Sequence, residues 1–197
     1  NAGKGGGTTS KSAPLQDLNI KSRDEVKDGG TVRFSIETLP TMWNALHIDG
    51  NSVDLGTTIM GFVGANNFDI AEDGTPKPDT DYLQSYDVQT NGGKQVVTLH
   101  LNPKAKWNSG RTIDYTDYQA TSKANNGANE DFKMASSDGF NQIESVRKGD
   151  KDTDVVITYK ATYPDWTATW SSVMPKEGVD TPETFNNGWK QFKPEWF

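Results

Sequence analysis

Few residues in this chain could carry bond-making chemistry. His47 and His100 are its only imidazoles, cysteine is absent, and no G-x-S-x-G elbow, phosphate loop or H-E-x-x-H helix can be read from it. His100 stands between Leu99 and Leu101 in an alternating run, where a sheet-surface side chain is expected. Asp150, Asp152 and Asp154 have the 1-3-5 spacing of a calcium loop. The sixth position is Val155 instead of glycine, however, and the twelfth is Ala161 instead of a bidentate glutamate, so a charged reverse turn is expected there. The sequence assigns no catalytic residue, no metal ligand and no cofactor, and it points away from an enzyme.

Binding chemistry is better represented. Trp43, Asn44, His47 and Asn51 share one polar loop, and loops carry function more often than strands do. An indole face suits stacking against peptide or sugar, while amide and imidazole groups can donate and accept hydrogen bonds. The sequence has six tryptophans, of which Trp107, Trp166 and Trp170 are assigned to packing.

The elements that must position these residues are mostly strands. Val32, Phe34 and Ile36 alternate with Thr31, Arg33 and Ser35, the period of a half-buried strand that Pro40 would end. Residues 86–90 and 95–101 flank Asn91-Gly92-Gly93, a hairpin signal, and residues 143–146 and 155–159 flank a second, charged turn. Lys106-Trp107 closes a strand-rich run, Asn108-Ser109-Gly110 turns it, and Thr112-Ile113 leads to Asp114, a helix N-cap followed by Asp117 in the first turn. Asn125-Asn126-Gly127 ends that helix. A further helix is expected from Pro164-Asp165-Trp166, with Trp166, Trp170 and Val173 on one face, and another from Thr181 to Phe185.

Composition bounds the class. A chain of 197 residues with 32% hydrophobic and 10% aromatic content can build a lean core. With 27 acidic against 20 basic residues, its net charge of -7 argues against a nucleic-acid partner, which needs clustered Lys and Arg. No stretch approaches the ~20 apolar residues of a membrane span. Residues 1–12 are rich in Gly, Ser, Thr and Lys and cannot bury enough apolar surface to offset ordering; residues 1–28 are expected to act as a flexible tether.

The order Lys106-Trp107, Asn108-Ser109-Gly110, Asp114-Tyr115-Thr116-Asp117 resembles the strand, W-x-D-G turn and T-A-D-D helix start of family 5 extracellular solute-binding proteins, the oligopeptide- and dipeptide-binding receptors of ABC importers. The turn departs from the usual Asp-Gly and the helix start from the usual Thr-Ala, yet both keep the turn and capping chemistry. Gly29-Gly30-Thr31-Val32-Arg33 resembles the family's opening strand, and Leu83-Gln84-Ser85-Tyr86 its L-A-x-S-W segment. Gly139-Phe140-Asn141, residues 155–160, Pro164-Asp165-Trp166 and Met174-Pro175-Lys176 are similar to actinobacterial members. The resemblance covers residues 29–197.

That resemblance implies a mixed α+β fold forming part of lobe I of a two-lobed, type II periplasmic-binding-protein-like architecture. Residues 29–197 would be the N-terminal part of lobe I, with the remainder absent and Trp196-Phe197 left exposed at the end. It implies a monomeric receptor for a peptide or another small solute, meeting permease subunits at the outer face of the membrane or in the periplasm. Its only tie to the membrane would be a lipid anchor outside this chain. Ligand would close a hinge between lobes, and Trp43, Asn44, His47 and Asn51 would contact it. A carbohydrate-binding module or a non-transport scaffold of the cell envelope is the alternative.

Overall fold

The computed structural model describes residues 21–197, so residues 1–20 of the expected tether lie outside the described residues. The central element is a four-stranded antiparallel sheet built from two hairpins. Strands β4 (Leu83–Asn91) and β5 (Lys94–Leu101) form the first expected hairpin, and β6 (Ile143–Lys148) and β7 (Asp154–Tyr159) the second. Gly92 and Gly93 take φ of 59° and 80°, which matches the strand twist in a tight turn and which other residues adopt only with strain. β5 pairs with β4 on one side and β7 on the other. Its residues Val97, Leu99 and Leu101 and β7 residues Val155, Ile157 and Tyr159 point into the core.

Two pairs of short strands extend this frame. β1 (Ala65–Asn66) pairs with β8 (Ser172–Val173), and β2 (Phe68–Ile70) pairs with β3 (Pro76–Pro78). Around Gly64 and before it, a wide-turn helix over Asp54–Ile59 runs into helix α1 (Met60–Val63).

Helix α2 (Tyr115–Asn125) packs across β6 and starts as the sequence indicates. The Asp114 side chain accepts from the backbone N–H of Thr116, and the Asp117 side chain accepts from the N–H of Asp114, a reciprocal capping arrangement. Asp117 does far more than balance the helix dipole. Its carboxylate is fully buried and also accepts from Trp107 Nε1 at 3.1 Å, from the Arg111 guanidinium and from the Lys176 N–H at 2.9 Å. The turn, α2 and helix α4 (Lys176–Val179) therefore converge on one carboxylate. Burial alone would lower the Arg111 pKa, but Asp117 and Glu177, the latter 2.7 Å away, hold it above its ordinary value.

Two cores result. One joins the sheet to Trp107, Tyr118, Trp166 and Trp170; the other gathers Leu55, Met60, Phe132, Phe185 and Trp189 beyond α2. Trp107, Trp166 and Trp170 thus pack as the sequence suggests. Buried polar side chains serve as internal staples: Gln95 pairs with both backbone groups of Tyr163, Thr121 with both of Met174, and Asn67 with Tyr118 Oη and Trp170 O.

Three expectations need correction. Residues 31–36 form no strand, and among the described residues no hydrogen bond reaches them, because no neighbouring strand offers an edge. The segment is tied down just after its end, where the N–H groups of Glu37 and Thr38 donate to Asp54, and by the contact of the Phe34 ring with Phe62. The helix at Pro164 lasts one turn, α3 (Trp166–Thr169), since Val173 is drawn into the β1–β8 pair. Trp196 and Phe197 are not exposed: Trp196 lies 4.7 Å from the Trp189 ring, and Phe197 is buried with its carbonyl accepting from the Asn108 N–H.

Candidate functional site

The loop holding Trp43, Asn44, His47 and Asn51 is pinned at several points. The Trp43 N–H donates to Trp189 O, Ile48 N–H to Lys133 O, and Ala135 N–H to Leu46 O. Gly50 permits the loop to close on itself, since a Cβ there would fall 2.0 Å from the Asn44 carbonyl oxygen. Asn44 is fully buried, its amide donating to Phe185 O and its oxygen accepting from the Leu46 N–H. His47 is 3% exposed, beside the Phe185 ring, with Nδ1 accepting from the Asp49 N–H at 3.0 Å. Burial pushes its pKa down despite the Asp49 carboxylate 3.8 Å away, so the imidazole is neutral and the contact is no ion pair.

The four residues expected to meet ligand are therefore not brought together. Asn44 and His47 are internal, because the loop needs their hydrogen bonds for its own closure. Trp43 is half-buried and lies 4.8 Å from the Phe192 ring. Asn51 alone lines a recess, one of about 320 Å³.

Four segments wall this recess. They are Ala45, Leu46 and Asn51 of the loop; residues 135–140, including Ser136 and Asp138; Tyr163; and the α3–β8 connection with Thr169, Ser171 and Ser172. Each is held from behind. Gln95 grips the Tyr163 backbone through both its amide groups at 3.1 Å, and the Tyr163 ring stacks on Tyr159 with centroids 5.6 Å apart at 25°. The turn that carries Asp138 is fixed by Gly139, at φ 77°, where a Cβ would meet Thr169 Oγ1 at 2.1 Å. Ser171 O accepts from the Asn67 N–H, which places the last wall.

Chemically, the recess can bind but has no group activated to react. Its polar side chains are hydroxyls, one amide and one carboxylate, and no imidazole reaches it. Among the described residues no group of three or more His, Cys, Asp or Glu could hold a metal ion. Sequence reasoning missed Asp138 and Tyr163. The signals were present in Ser136-Ser137-Asp138-Gly139, a turn-forming run, and in Tyr163 just before Pro164, which fixes extended backbone at that residue.

No family model matches the sequence. The oligopeptide-binding proteins OppA of Mycobacterium tuberculosis and Mycobacterium bovis are each 34% identical to it over 185 residues, covering 92% of this chain and 30% of theirs. The chain is similar along nearly its whole length to these oligopeptide-binding proteins. It spans 30% of the length of these curated relatives. Among solved structures, the periplasmic EDTA-binding protein EppA superposes with a TM-score of 0.69 at 23% identity, over 76% of this chain and 28% of that one. The oligopeptide-binding protein AppA of Bacillus subtilis, in complex with a nonapeptide, gives 0.61 at 17% identity, over 75% and 28%. The fold is accordingly the mixed α+β architecture of a type II periplasmic binding protein, of which this strand-rich chain with few short helices forms part of a lobe.

Proposed function

We propose that this chain is part of the receptor subunit of an ABC importer, capturing peptides or similar small solutes outside the membrane without chemical change. The observation that carries the reading is the 34% identity, across 92% of the chain, to proteins named for oligopeptide binding. The recess beside Asn51 supports it, being walled by fixed backbone and polar side chains in the manner of a pre-formed site. Asn51 is the one residue of the four sequence candidates proposed to touch ligand directly. Trp43 borders the loop, and Asn44 and His47 serve it by holding its shape.

In this reading the receptor works as a monomer with permease subunits as partners, and residues 1–28 act as a tether between a lipid anchor and the binding lobe. No described helix is long and apolar enough to cross a membrane. Ligand affinity of this chain alone is expected to be millimolar, because a solute enclosed between two lobes takes only part of its contacts from one.

The test is thermal unfolding of the chain against rising concentrations of di- to octapeptides and of cello-oligosaccharides. A melting temperature that rises with peptide at millimolar concentration supports the receptor reading. Stabilisation by the sugars instead would replace it with a carbohydrate-binding one, and a flat response to both would favour a scaffold without cargo.

A further inference from the structure

Two walls of the recess, the loop with Leu46 and Asn51 and the segment with Ala135 and Ser136, are held together by a short backbone joint. The Ala135 N–H donates to Leu46 O and the Ile48 N–H to Lys133 O, both at 2.8 Å, so that His47 and Met134 face each other as an isolated antiparallel bridge. His47 stands at the centre of this joint and also closes the loop on itself. Its backbone N–H donates to Asn44 O, its carbonyl accepts from the Gly50 N–H, and its buried ring accepts from the Asp49 N–H through Nδ1. An imidazole nitrogen accepts only while it carries no proton. The joint is therefore built around one protonation state of one side chain.

We propose that His47 is an acid-operated latch between these two walls: a proton on Nδ1 turns the acceptor into a donor facing the Asp49 N–H, and the loop parts from residues 133–135. A protonated ring left in place would oppose two donors and bury a charge beside the Phe185 ring, whose centroid lies 5.9 Å away. The carboxylate that can receive the new N–H is that of Asp49, 3.8 Å from Nδ1 and 74% exposed, so the charge is satisfied by a swing outward. Lys190 opposes the charge. Asp131, Lys133 and Glu183, on the segments packed against the loop, are all exposed to solvent. The latch thus has a closed state with a neutral ring and an open state with a His47–Asp49 ion pair at the surface, and pH sets the balance between them. Burial favours the neutral ring, so the closed state holds near neutral pH and gives way as pH falls below the ordinary imidazole range. Between the closed and open pKa values, each pH unit favours opening by up to about tenfold. His100, bonded to Asp154 and Asp87 on the sheet, holds its proton more readily, so the two imidazoles titrate separately. The device belongs to the fold and does not depend on what the recess binds.

The experiment follows the chain by NMR from about pH 7.5 to about pH 5, above the range in which ordinary carboxylates titrate. The ring nitrogen shifts of His47 and the amide shifts of Ile48, Asp49 and Ala135 are expected to change with one common midpoint, below about 6.5. Amide exchange at Ile48 and Ala135, divided by its intrinsic rate, should speed up by as much as about tenfold per pH unit while β5 and β7 stay protected. His47→Asn, whose side-chain oxygen can take the place of Nδ1 and does not titrate, should make exchange at these two amides independent of pH. An Asn variant that keeps the full pH dependence of the parent protein overturns the proposal. So do amide shifts that follow the His100 ring instead, and exchange at Ile48 and Ala135 that rises only together with that of β5, which is global unfolding. If His47→Asn already leaves both amides unprotected at pH 7.5, the parent protein decides: a shared midpoint with the His47 ring upholds the latch, and separate midpoints sink it. No ligand enters the measurement, so its failure leaves the receptor reading standing.

Discussion

Residues 31–36 and strand β5 carry the same alternation of apolar and polar side chains, and they end in opposite states. In β5, Val97, Leu99 and Leu101 are buried and the backbone is paired with β4 and β7. In residues 31–36, Val32 is 76% and Phe34 57% exposed, and the backbone makes no hydrogen bond among the described residues. An apolar period of two is therefore a capacity for pairing. Whether it becomes a strand depends on an edge being available, because β-propensity measures fit to neighbours and much less a local backbone preference. The loop at the recess is a third case: its only pairing is the isolated bridge of His47 with Met134, and scattered backbone and side-chain hydrogen bonds hold it in place.

The largest expected effect would test how firmly the paired half is locked. Asp117→Ala removes the acceptor shared by Trp107, Arg111, Asp114 and Lys176 and should cost about 3–5 kcal/mol, as loss of one partner from a buried ion pair does. Urea unfolding with an unchanged slope would measure it. A loss under about 1 kcal/mol would mean that the hub is dispensable and that the sheet half is no better fixed than residues 31–36. Next in size, Gly50→Ala forces a Cβ against the Asn44 carbonyl and should cost about 1–3 kcal/mol, with NMR shift changes confined to the loop and the recess wall. If it costs nothing, the loop can relax and the staples do not hold it.

Much of the frame was legible in the sequence because its signals are local. Asn91-Gly92-Gly93, the Asp114 cap, and the alternation in residues 95–101 and 155–159 all name conformations that their own neighbours satisfy. The strand expected at residues 31–36 failed since its stabilising partner is not a local property. The site was half legible for a related reason. Composition marked the loop of residues 43–51 as polar and aromatic, but it could not tell a side chain spent inside the loop, such as Asn44 or His47, from one free to meet ligand, such as Asn51. Asp138 and Tyr163 reach the same recess from segments far apart in sequence, so only the fold brings them together.

The two histidines extend the comparison to pH. His100 lies on the paired side, with Nδ1 2.9 Å from Asp154 and Nε2 3.1 Å from Asp87, linking β5 to both neighbours. The hydrogen bond to Asp154 leads in raising its pKa, Asp87 adds to it, and partial burial opposes both. With the folded pKa above the unfolded value of about 6.5, its contribution is fully present below that pH and is lost as pH rises through the folded pKa. His47 has the opposite sign: burial lowers its pKa, so its contribution is present above about 6.5 and is lost as pH falls. For His100→Gln, the stability difference from the parent protein should stay under about 1 kcal/mol at pH 5.5, since the side chain is 37% exposed, and should shrink as pH rises through the folded pKa. A difference that grows toward pH 8.5 would contradict the assignment.

The smallest expected effect is the sharpest test of the opening contrast. Phe34 touches the Phe62 ring, with centroids 4.7 Å apart, but both side chains are more than half exposed, at 57% and 66%. Truncation at such a site removes little buried area, so Phe34→Ser should change stability by no more than about 0.5 kcal/mol in thermal or urea unfolding. Amide exchange in residues 31–36 should stay fast in both proteins, while that of β5 and β7 stays slow, because open backbone exchanges without unfolding and paired core backbone does not. A cost above about 2 kcal/mol, or slow exchange in residues 31–36, would show that this segment is held by interactions of the same kind as the sheet. The alternation would then have found its partner after all.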